Sequence, residues 1–302
     1  MTCRDASDQA FSCLSSLGFR LFANTLAHPF DYAKVLIQIG HEPLPPYPTT
    51  TFFGRKVNAL PNVFKYVKHI KTVDGWSGCY RGLAPRLASQ IVGVYSLRAT
   101  VKYFKVNEDL DPMEDEMSDE EMRSHFVDTL TRDVVGRTVS IVASHPFQVI
   151  ALRTMAQFVG GEEKYSGILA SIAEIYREQG VSGFFSGLVP RWIGEIATLV
   201  IASTVSFALT AYVLQERELK SFTSLAIQYT TSALTYPFIV VTSCMAVNNC
   251  GLVGGMPPQM PIYSGWSDCW RDLSRKGQLN RGSTLLWRYC FSPPQSPKLA
   301  IK

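Results

Sequence analysis

The stretch Asp74–Arg86 reads DGWSGCYRGLAPR, and a second stretch, Gln179–Arg191, reads QGVSGFFSGLVPR. Two early glycines, an aromatic residue, a third glycine and a Leu-x-Pro-Arg ending recur at the same spacing, offset by 105 residues. Agreement at this many positions indicates that the chain contains structurally similar units. Internal repeats of this kind determine the architecture of the proteins that contain them.

Three proline motifs mark comparable places in the chain. They are HPF at 28–30, HPF at 145–147 and YPF at 236–238, and each lies in a long, weakly polar segment typical of a helix. Proline inside a helix removes one backbone hydrogen bond and clashes with the preceding turn. We therefore predict kinks at Pro29, Pro146 and Pro237.

Together these motifs resemble the mitochondrial carrier family, whose members consist of three similar modules. In that family each module has a kinked helix with a Pro-x-Asp/Glu-x-x-Lys/Arg motif, a short surface helix, a glycine-containing turn and a second helix. The first module matches through Pro29, Asp31, Lys34 and the turn at 74–82. The resemblance implies an all-α membrane protein with a mitochondrial-carrier-like, three-repeat helical bundle.

The boundaries follow from the same pattern. We predict a single membrane domain over 1–302, with repeats at about 10–107, 122–215 and 219–290 and a tail at 291–302. Membrane-spanning helices are predicted at 11–39, 83–106, 125–158, 188–214 and 222–247, and surface helices at 62–73, 168–177 and 266–273. The stretch 108–121 contains nine acids and no Lys or Arg. Such a stretch is typical of a solvated loop, with a docking site for a basic partner as the alternative.

The C-terminal part of the third repeat departs from the family pattern. A sixth membrane helix needs about 20 predominantly apolar residues, whereas the chain after Gly277 contains Arg281, Arg288 and three prolines. The sequence therefore predicts five spans, with the sixth transmembrane helix missing or reduced.

The charges of the kink motifs are also incomplete. The second and fifth positions after each proline are Asp31 and Lys34, then Gln148 and Ala151, then Ile239 and Thr242. The resemblance implies that a solute carrier closes each end of its barrel with a ring of three such ion pairs. This chain has residues for one pair, so alternating access through two gates is not expected.

An open bundle of this kind leaves a polar groove beside lipid. A charged residue inside a membrane costs about 2.5–3.5 kcal/mol and usually has a function. We predict that the groove is lined by Lys34, Asp31, Arg98, Arg153, Glu195, Asn248 and Asn249. For the charged residues the alternative is a place at a helix end, with the side chain reaching the membrane interface.

Further matches, KVLIQIG at 34–40, GLVPR at 187–191 and AVNNCGL at 246–252, resemble a diverged outer-membrane branch of the family. That resemblance implies a multi-pass protein of the mitochondrial outer membrane that inserts tail-anchored and other α-helical proteins. It also implies a link to apoptosis through Bid-like partners. The alternatives are a degenerate solute carrier, a lipid scramblase or a docking receptor for Bid-like proteins.

The amino-acid composition and the charge balance indicate which classes of function are expected. Hydrophobic residues make up 46% of the chain, and outside 108–121 there are 29 bases against 16 acids. This balance suits anionic lipid, whereas nucleic-acid binding would need a clustered basic stripe. Seven cysteines without Cys-x-x-Cys spacing predict neither a zinc site nor a disulfide framework. Five scattered His and no nucleotide-binding loop lead us to expect no enzymatic activity, no cofactor and no metal.

Overall fold

The computed structural model describes residues 3–50, 54, 56–105, 118–212 and 217–290, and most of them are helical. The helices are α1 (Cys3–Gln38), α2 (Val63–Gly78), α3 (Leu83–Lys105), α4 (Asp119–Ala156), α5 (Ile168–Gln179), α6 (Leu188–Tyr212), α7 (Arg217–Leu234), α8 (Tyr236–Val247) and α9 (Trp266–Arg275). Three strands, β1 (Tyr47–Thr50), β2 (Lys56–Leu60) and β3 (Arg288–Cys290), form one small sheet. The predicted all-α class is confirmed, and the sheet is an addition that the sequence did not suggest.

The three prolines differ in how they enter the helices. Pro29 and Pro146 lie inside the long helices α1 and α4. Pro237 instead lies in the first turn of α8, which is bent by 48° from α7. Proline suits the first turn of a helix because no backbone N–H is needed there. The predicted bend at Pro237 is present, but it is a break at Thr235 between two helices rather than a kink inside one helix.

The surface helices α2, α5 and α9 form close to where the periodicity places them. Asn62 caps α2 by accepting a hydrogen bond from the Lys65 backbone N–H at 3.0 Å. Val63, Tyr66 and Ile70 are the buried large side chains of α2, at a spacing that forms one apolar face. Each surface helix thus packs one side on the bundle and leaves the other side outward.

One contact recurs in all three repeats, between the residue before each proline and a backbone carbonyl of the glycine-rich turn. His28 Nε2 lies 3.1 Å from the Arg81 carbonyl oxygen, His145 Nε2 lies 3.1 Å from that of Ser186, and the Tyr236 hydroxyl donates to that of Arg281 at 3.2 Å. The third repeat therefore retains the contact with a tyrosine in place of histidine. The residues 277–282 thus form a third turn, which is structurally equivalent to the turns in 74–86 and 179–191.

A glycine in the left-handed region follows each of these carbonyls. Gly82, Gly187 and Gly282 have φ of 80°, 81° and 79°, which only glycine adopts without strain. Each glycine also packs tightly against the next proline-containing helix. A Cβ at Gly82 would lie 3.1 Å from the Ala151 carbonyl oxygen on α4, and one at Gly187 would lie 2.9 Å from that of Thr242 on α8.

The third glycine completes this ring on α1. A Cβ at Gly282 would lie 3.1 Å from the Tyr236 hydroxyl and 3.3 Å from Ile37 Cγ2. The turns of repeats one, two and three thus pack on α4, α8 and α1, respectively. The bundle is closed at this end although no sixth long helix follows α9 in the residues described up to 290.

The main apolar core lies at the same end, where α1, α4 and α8 converge. Its fully buried members include Leu36, Ile37, Ile150, Val240 and Val247. Burial of apolar surface of this extent is the main favourable contribution to folding. The C-terminal parts of α1 and α4 and most of α8 therefore form the main packed core of the bundle.

The C-terminal segment crosses back to the first repeat instead of entering a helix. β3 pairs antiparallel with β2, with Leu60 opposite Arg288, and the Val63 backbone N–H donates to the Leu285 carbonyl oxygen at 2.9 Å. The Arg288 side chain forms an ion pair with Glu42 and donates to the Pro61 carbonyl oxygen at 3.0 Å. A strand thus takes the place in the chain where the family would have its sixth helix.

The number of membrane spans stays a prediction. Within the described residues one helical stretch, inside Ile168–Thr210, is long and apolar enough to cross a membrane, and the bent pair α7 and α8 gives a second if it is counted as one span. The sequence predicts five. The other long helices carry charged residues along their length, among them Arg86 and Arg98 in α3, and such residues lower the mean hydropathy of a window.

Substitution of Gly282 tests the third turn. We expect Gly282→Ala to lower the free energy of unfolding by about 2 kcal/mol, because it adds a contact with Tyr236 to the cost of left-handed backbone. Gly277→Ala is the matched control, since Gly277 also has positive φ but a Cβ there would meet nothing within 4 Å. We expect it to cost about 1 kcal/mol. Denaturant unfolding in detergent measures both, and equal losses would contradict the close packing of Gly282.

Loss of Arg288 tests the C-terminal attachment. Burial raises the pKa of Glu42 and the Arg288 guanidinium opposes that shift. In Arg288→Met the Glu42 carboxylate lacks its counter-charge, so we expect a loss of about 1–2 kcal/mol at pH 7.5. This loss of stability should become smaller toward pH 5. The folded-state pKa of the Glu42 carboxyl is raised, so lowering the pH protonates it and removes the buried charge that lacks a partner. Unfolding measurements between pH 5 and pH 7.5 test this expectation. A loss of unfolding free energy that does not change with pH, or no loss at all, would contradict the pairing of Glu42 with Arg288.

Candidate functional site

We call the side of the bundle between α1 and α7 the opening, because these two helices share no comparable interface. α1 packs on α2, α3, α4 and α8, and α6 packs on α4, α7 and α8. Among the described helices, no comparable interface joins α1 to α7. A sixth helix would stand at this place in the family pattern, so the opening lies where the chain departs from that pattern.

Large apolar side chains point outward along both edges of the opening. On α1 these are Phe19, Phe22 and Leu26, exposed by 72%, 62% and 59%, and on α7 they are Phe222, Leu225, Tyr229 and Leu234, exposed by 77%, 65%, 79% and 71%. Apolar surface of this size is typical of contact with lipid or with another apolar helix. Both edges of the opening are thus apolar.

Asp31 and Lys34 do not pair with each other in the way that the motif suggests. Asp31 Oδ2 accepts a bond from Arg86 Nη2 of α3 at 2.8 Å, and both side chains are about one third exposed. Lys34 is half-buried, with Nζ 5.2 Å from the ring centroid of Tyr236 on α8. A cation over an aromatic face is stabilised by the ring quadrupole. Lys34 therefore lies at the junction of α1 and α8, next to the opening.

Glu195 of α6 joins one basic residue of its own helix and one of α4. Its carboxylate accepts from Arg191 Nε at 2.8 Å and pairs with Arg137 Nη2 of α4 at 2.9 Å. Arg191 also lies 3.3 Å from His145 Nδ1 and donates to Ser144 Oγ at 3.2 Å. Since Arg137 remains 46% exposed, this network is a partly hydrated group of charges between α4 and α6.

Arg153 and Arg98 have different surroundings from these residues. Arg153 is fully buried and donates to the Ala246 carbonyl oxygen at 2.9 Å, to Gln179 Oε1 at 2.6 Å and to the Gly183 carbonyl oxygen at 3.4 Å. It fastens the second turn to the end of α8. Arg98 is exposed on α3, in agreement with either the groove or the membrane interface.

The two asparagines lie at the end of α8. Asn248 makes a reciprocal pair of bonds with the backbone of Tyr263, at 2.9 and 3.0 Å, and so closes the loop before α9. Asn249 is exposed and has φ of 49°, and its carbonyl oxygen accepts from Gln179 Nε2 at 2.8 Å. The seven predicted residues therefore form separate groups, and a single groove that contains them all stays a prediction.

The polar residues that join α1 to α8 were not predicted. Gln38 Nε2 donates to the Tyr236 hydroxyl at 2.9 Å, and Ser243 Oγ donates to Gln38 Oε1 at 2.9 Å. Arg281 Nε donates to the Gln38 carbonyl oxygen at 2.5 Å. The signal for this site is the Arg-Gly dipeptide at 281–282, which repeats Arg-Gly at 81–82. The sequence shows charged residues in predicted helices at Arg86, Arg137 and Arg191, but it does not show which residues they pair with.

No group of three or more His, Cys, Asp or Glu side chains in the described ranges could hold a metal ion. Asp31, Glu195 and Arg153 instead bond to other side chains or to backbone carbonyls, whereas Lys34 lies over the Tyr236 ring. The described bundle thus combines partly exposed charges with exposed apolar side chains.

Comparison with known proteins identifies the fold. The family model for the mitochondrial carrier protein matches residues 9–107 and 123–215. The chain belongs to the mitochondrial carrier family. Mitochondrial carrier homolog 2 of Mus musculus is 40% identical over 281 residues, which cover 88% of this chain and 93% of that protein.

Two further relatives agree with this assignment. Mitochondrial carrier homolog 2 of Homo sapiens is 41% identical over 271 residues, 87% of this chain and 89% of that protein. Mitochondrial carrier homolog 1 of Mus musculus is 39% identical over 288 residues, 87% of this chain and 73% of that protein. The predicted resemblance is thus confirmed, since the chain is 40–41% identical to mitochondrial carrier homolog 2 over most of its length. Membership in the mitochondrial carrier family indicates a mitochondrial membrane protein, in a family of transporters rather than enzymes.

A pair of double-mutant cycles tests which cation is the partner of Asp31. We expect a coupling free energy of about 0.5–1 kcal/mol between Asp31→Asn and Arg86→Met, the usual value for a partly exposed ion pair. The matched cycle with Lys34→Met should give a smaller value, because Lys34 lies over Tyr236. Thermal or denaturant unfolding in one detergent measures both cycles. A larger coupling to Lys34 than to Arg86 would contradict the observed geometry.

Proposed function

We propose that this chain is a multi-pass insertase of the mitochondrial outer membrane for tail-anchored and other α-helical proteins. The observation that carries the proposal is that α1 and α7, which share no comparable interface, both expose large apolar side chains, while partly exposed ion pairs join α1 to α3 and α4 to α6. The family pattern supports it further, because the missing helix is the one that would separate the bundle interior from lipid.

The physical problem in insertion is the polar flank of a membrane helix. Transfer of an unpaired charged group into hydrocarbon costs several kcal/mol, whereas the apolar helix itself enters lipid favourably. A groove that is polar inside and open to lipid offers the flank a hydrated path while the helix moves out sideways. Such a path lowers a barrier without nucleotide hydrolysis.

Two partly exposed ion pairs of the bundle are suited to this role. Asp31 with Arg86 and Glu195 with Arg137 are both partly exposed, so each can exchange its partner for a charge on a passing flank at small cost. In contrast, Arg153 is fully buried and bonded to the backbone. We therefore assign the passage to the first two pairs and to Lys34, and a structural role to Arg153.

Charge reversal in a reconstituted system tests the proposal. Purified protein in liposomes is given clients that differ only in whether the flank is acidic or basic, and protease protection reports insertion. We expect Lys34→Glu to slow the acidic client about fivefold, which corresponds to about 1 kcal/mol on the barrier. Glu195→Gln should slow the basic client similarly. Protein abundance and the unfolding midpoint should stay near those of the unmodified chain.

Lys68→Glu is the control, because Lys68 is an exposed lysine of the surface helix α2. It should leave both clients unchanged. Equal rates for all three variants would remove Lys34 and Glu195 from the passage. If liposomes that contain the protein show no insertion, the proposal is contradicted. Solute exchange without insertion would identify a solute carrier, and redistribution of lipid between the leaflets would identify a scramblase.

A docking function for Bid-like partners rests on the acidic stretch 108–121, most of which lies outside the described residues. Deletion of 108–121 separates it from insertion. Loss of binding to a basic or Bid-like partner with unchanged insertion would identify docking as a second activity of the chain.

A further inference from the structure

The arginine that follows the glycine-containing turn has different partners in repeats one and two. Arg86 and Arg191 are equivalent, since each lies four positions after the left-handed glycine of its turn. Arg191 Nη1 lies 3.3 Å from His145 Nδ1. Arg86 bonds instead to Asp31 of α1, and His28 Nδ1 is buried with no hydrogen-bond partner among the described residues. Repeat one therefore has an unused acceptor at the place where repeat two binds its arginine.

The backbone makes this nitrogen of His28 an acceptor. His28 Nε2 lies 3.1 Å from the Arg81 carbonyl oxygen, and a carbonyl oxygen only accepts, so Nε2 carries the hydrogen. In the neutral ring Nδ1 then has a free lone pair. The His145 ring is placed in the same way, with Nε2 3.1 Å from the Ser186 carbonyl oxygen. A guanidinium has only donors, so it is a suitable partner for Nδ1 of either ring.

Arg86 starts from the same place relative to its histidine as Arg191 does. Each arginine backbone N–H donates to the carbonyl oxygen of the turn glycine, at 3.2 Å to Gly82 and at 3.3 Å to Gly187. These glycines have φ of 80° and 81°. The contact of each histidine with its turn has the same length of 3.1 Å. An arginine at this position of the fold can therefore reach the ring nitrogen, as it does in repeat two.

Two differences between the repeats explain why Arg86 bonds to Asp31 in the structure. A carboxylate carries a full charge, so it attracts a guanidinium more strongly than a neutral ring nitrogen does. In addition, Arg191 Nη2 donates to Ser144 Oγ at 3.2 Å, whereas repeat one has Ala27 at that position. The second site for the arginine of repeat one thus offers one bond and not two.

Arg86 has no acid on its own helix that would hold it in place. Arg191 Nε bonds to Glu195 one turn further along α6 at 2.8 Å. The equivalent residue of repeat one is Gln90, which is neutral. Asp31 and Arg86 are both about one third exposed. A cation that pairs with Asp31 therefore leaves Arg86 without its acid and repels it.

We propose that Arg86 exchanges between two acceptors, the Asp31 carboxylate and His28 Nδ1, and that this exchange makes Asp31 a receptor for the basic flank of a client helix. When an ammonium or guanidinium group of the client pairs with Asp31, Arg86 moves to His28. This move keeps a guanidinium donor bonded and increases its distance from the incoming cation. The receptor role rests on the proposed insertase function, whereas the exchange of partners does not.

Nitrogen NMR of the full chain in detergent, with isotope-labelled histidine rings, tests the exchange without an insertion assay. A bare ring nitrogen resonates at lower frequency when it accepts a hydrogen bond. In the unmodified chain we expect the bonded value for His145 Nδ1 and the free value for His28 Nδ1. In Asp31→Ala the His28 signal should move most of the way to the bonded value, because Arg86 then has one acceptor left.

The double variant Asp31→Ala with Arg86→Met is the matched control, and it should return His28 to the free value. The His145 signal in the same spectra should stay unchanged, which shows that the fold is intact. The exchange is overturned if the His28 signal of Asp31→Ala stays at the free value. It is equally overturned if the movement persists in the double variant.

Ala27→Ser tests the same exchange in a chain that keeps all its charges. It supplies the hydroxyl that Ser144 provides in repeat two, and one added hydrogen bond should favour the second site by about fivefold. The His28 signal should then move part of the way to the bonded value. A His28 signal that does not move in this variant would contradict the second site even if Asp31→Ala fails to fold.

Insertion into liposomes of two clients, which differ only in whether the flank is basic or acidic, tests the receptor role. Asp31→Ala should slow the basic client about fivefold and leave the acidic client at least as fast, and Ala27→Ser should speed the basic client about twofold. Equal effects on both clients would overturn the receptor role and leave the exchange in place. If the unmodified chain inserts neither client, the proposed function and the receptor role both fail, and NMR still decides the exchange.

Discussion

The structure depends on a ring of close contacts between each glycine-containing turn and the next proline-containing helix. Gly82 packs on α4, Gly187 on α8 and Gly282 on α1, and each turn is tied to its own repeat by the residue before the proline. These approaches are so close that a side chain on the glycine would require its neighbours to shift. The convergence of α1, α4 and α8, and with it the apolar core, follows from this ring.

The ring also explains how the bundle closes with so few charges in the kink motifs. The fifth positions after the second and third prolines are Ala151 and Thr242, and their carbonyl oxygens are the atoms that Gly82 and Gly187 approach. Backbone contact at those positions does not depend on an ion pair between side chains. At the junction of α1 and α8 the polar side chains of Gln38, Tyr236 and Ser243 take over. The closed end is therefore held by shape and hydrogen bonds, which do not require a complete set of acids and bases.

Much of the helical framework could be predicted because it rests on local signals. Proline motifs, apolar periodicity and the repeated turn of 74–86 and 179–191 placed the long and surface helices and indicated that a sixth helix is missing or reduced. The sheet could not be predicted, since β3 pairs with a strand more than 200 residues earlier in the chain and three residues carry no pattern of their own. The partners of the charged residues were also out of reach. Asp31 bonds to Arg86 rather than to Lys34 because the crossing of α1 and α3, and not the spacing within one helix, sets that distance.

The sequence shows one feature of the third turn, and the structure of this turn indicates what the missing helix would contribute. Its Arg-Gly pair at 281–282 is retained with two residues fewer in the turn than at 75–82, and it still reaches α1. The contacts that close the end of the bundle thus belong to the turn, whereas a helix after it would only form a wall. Loss of this helix with retention of the turn keeps one end of the bundle closed and leaves α1 and α7 without a comparable shared interface. The proposed insertase would use that side, because a polar group that enters laterally does not require the closed end of the bundle to open.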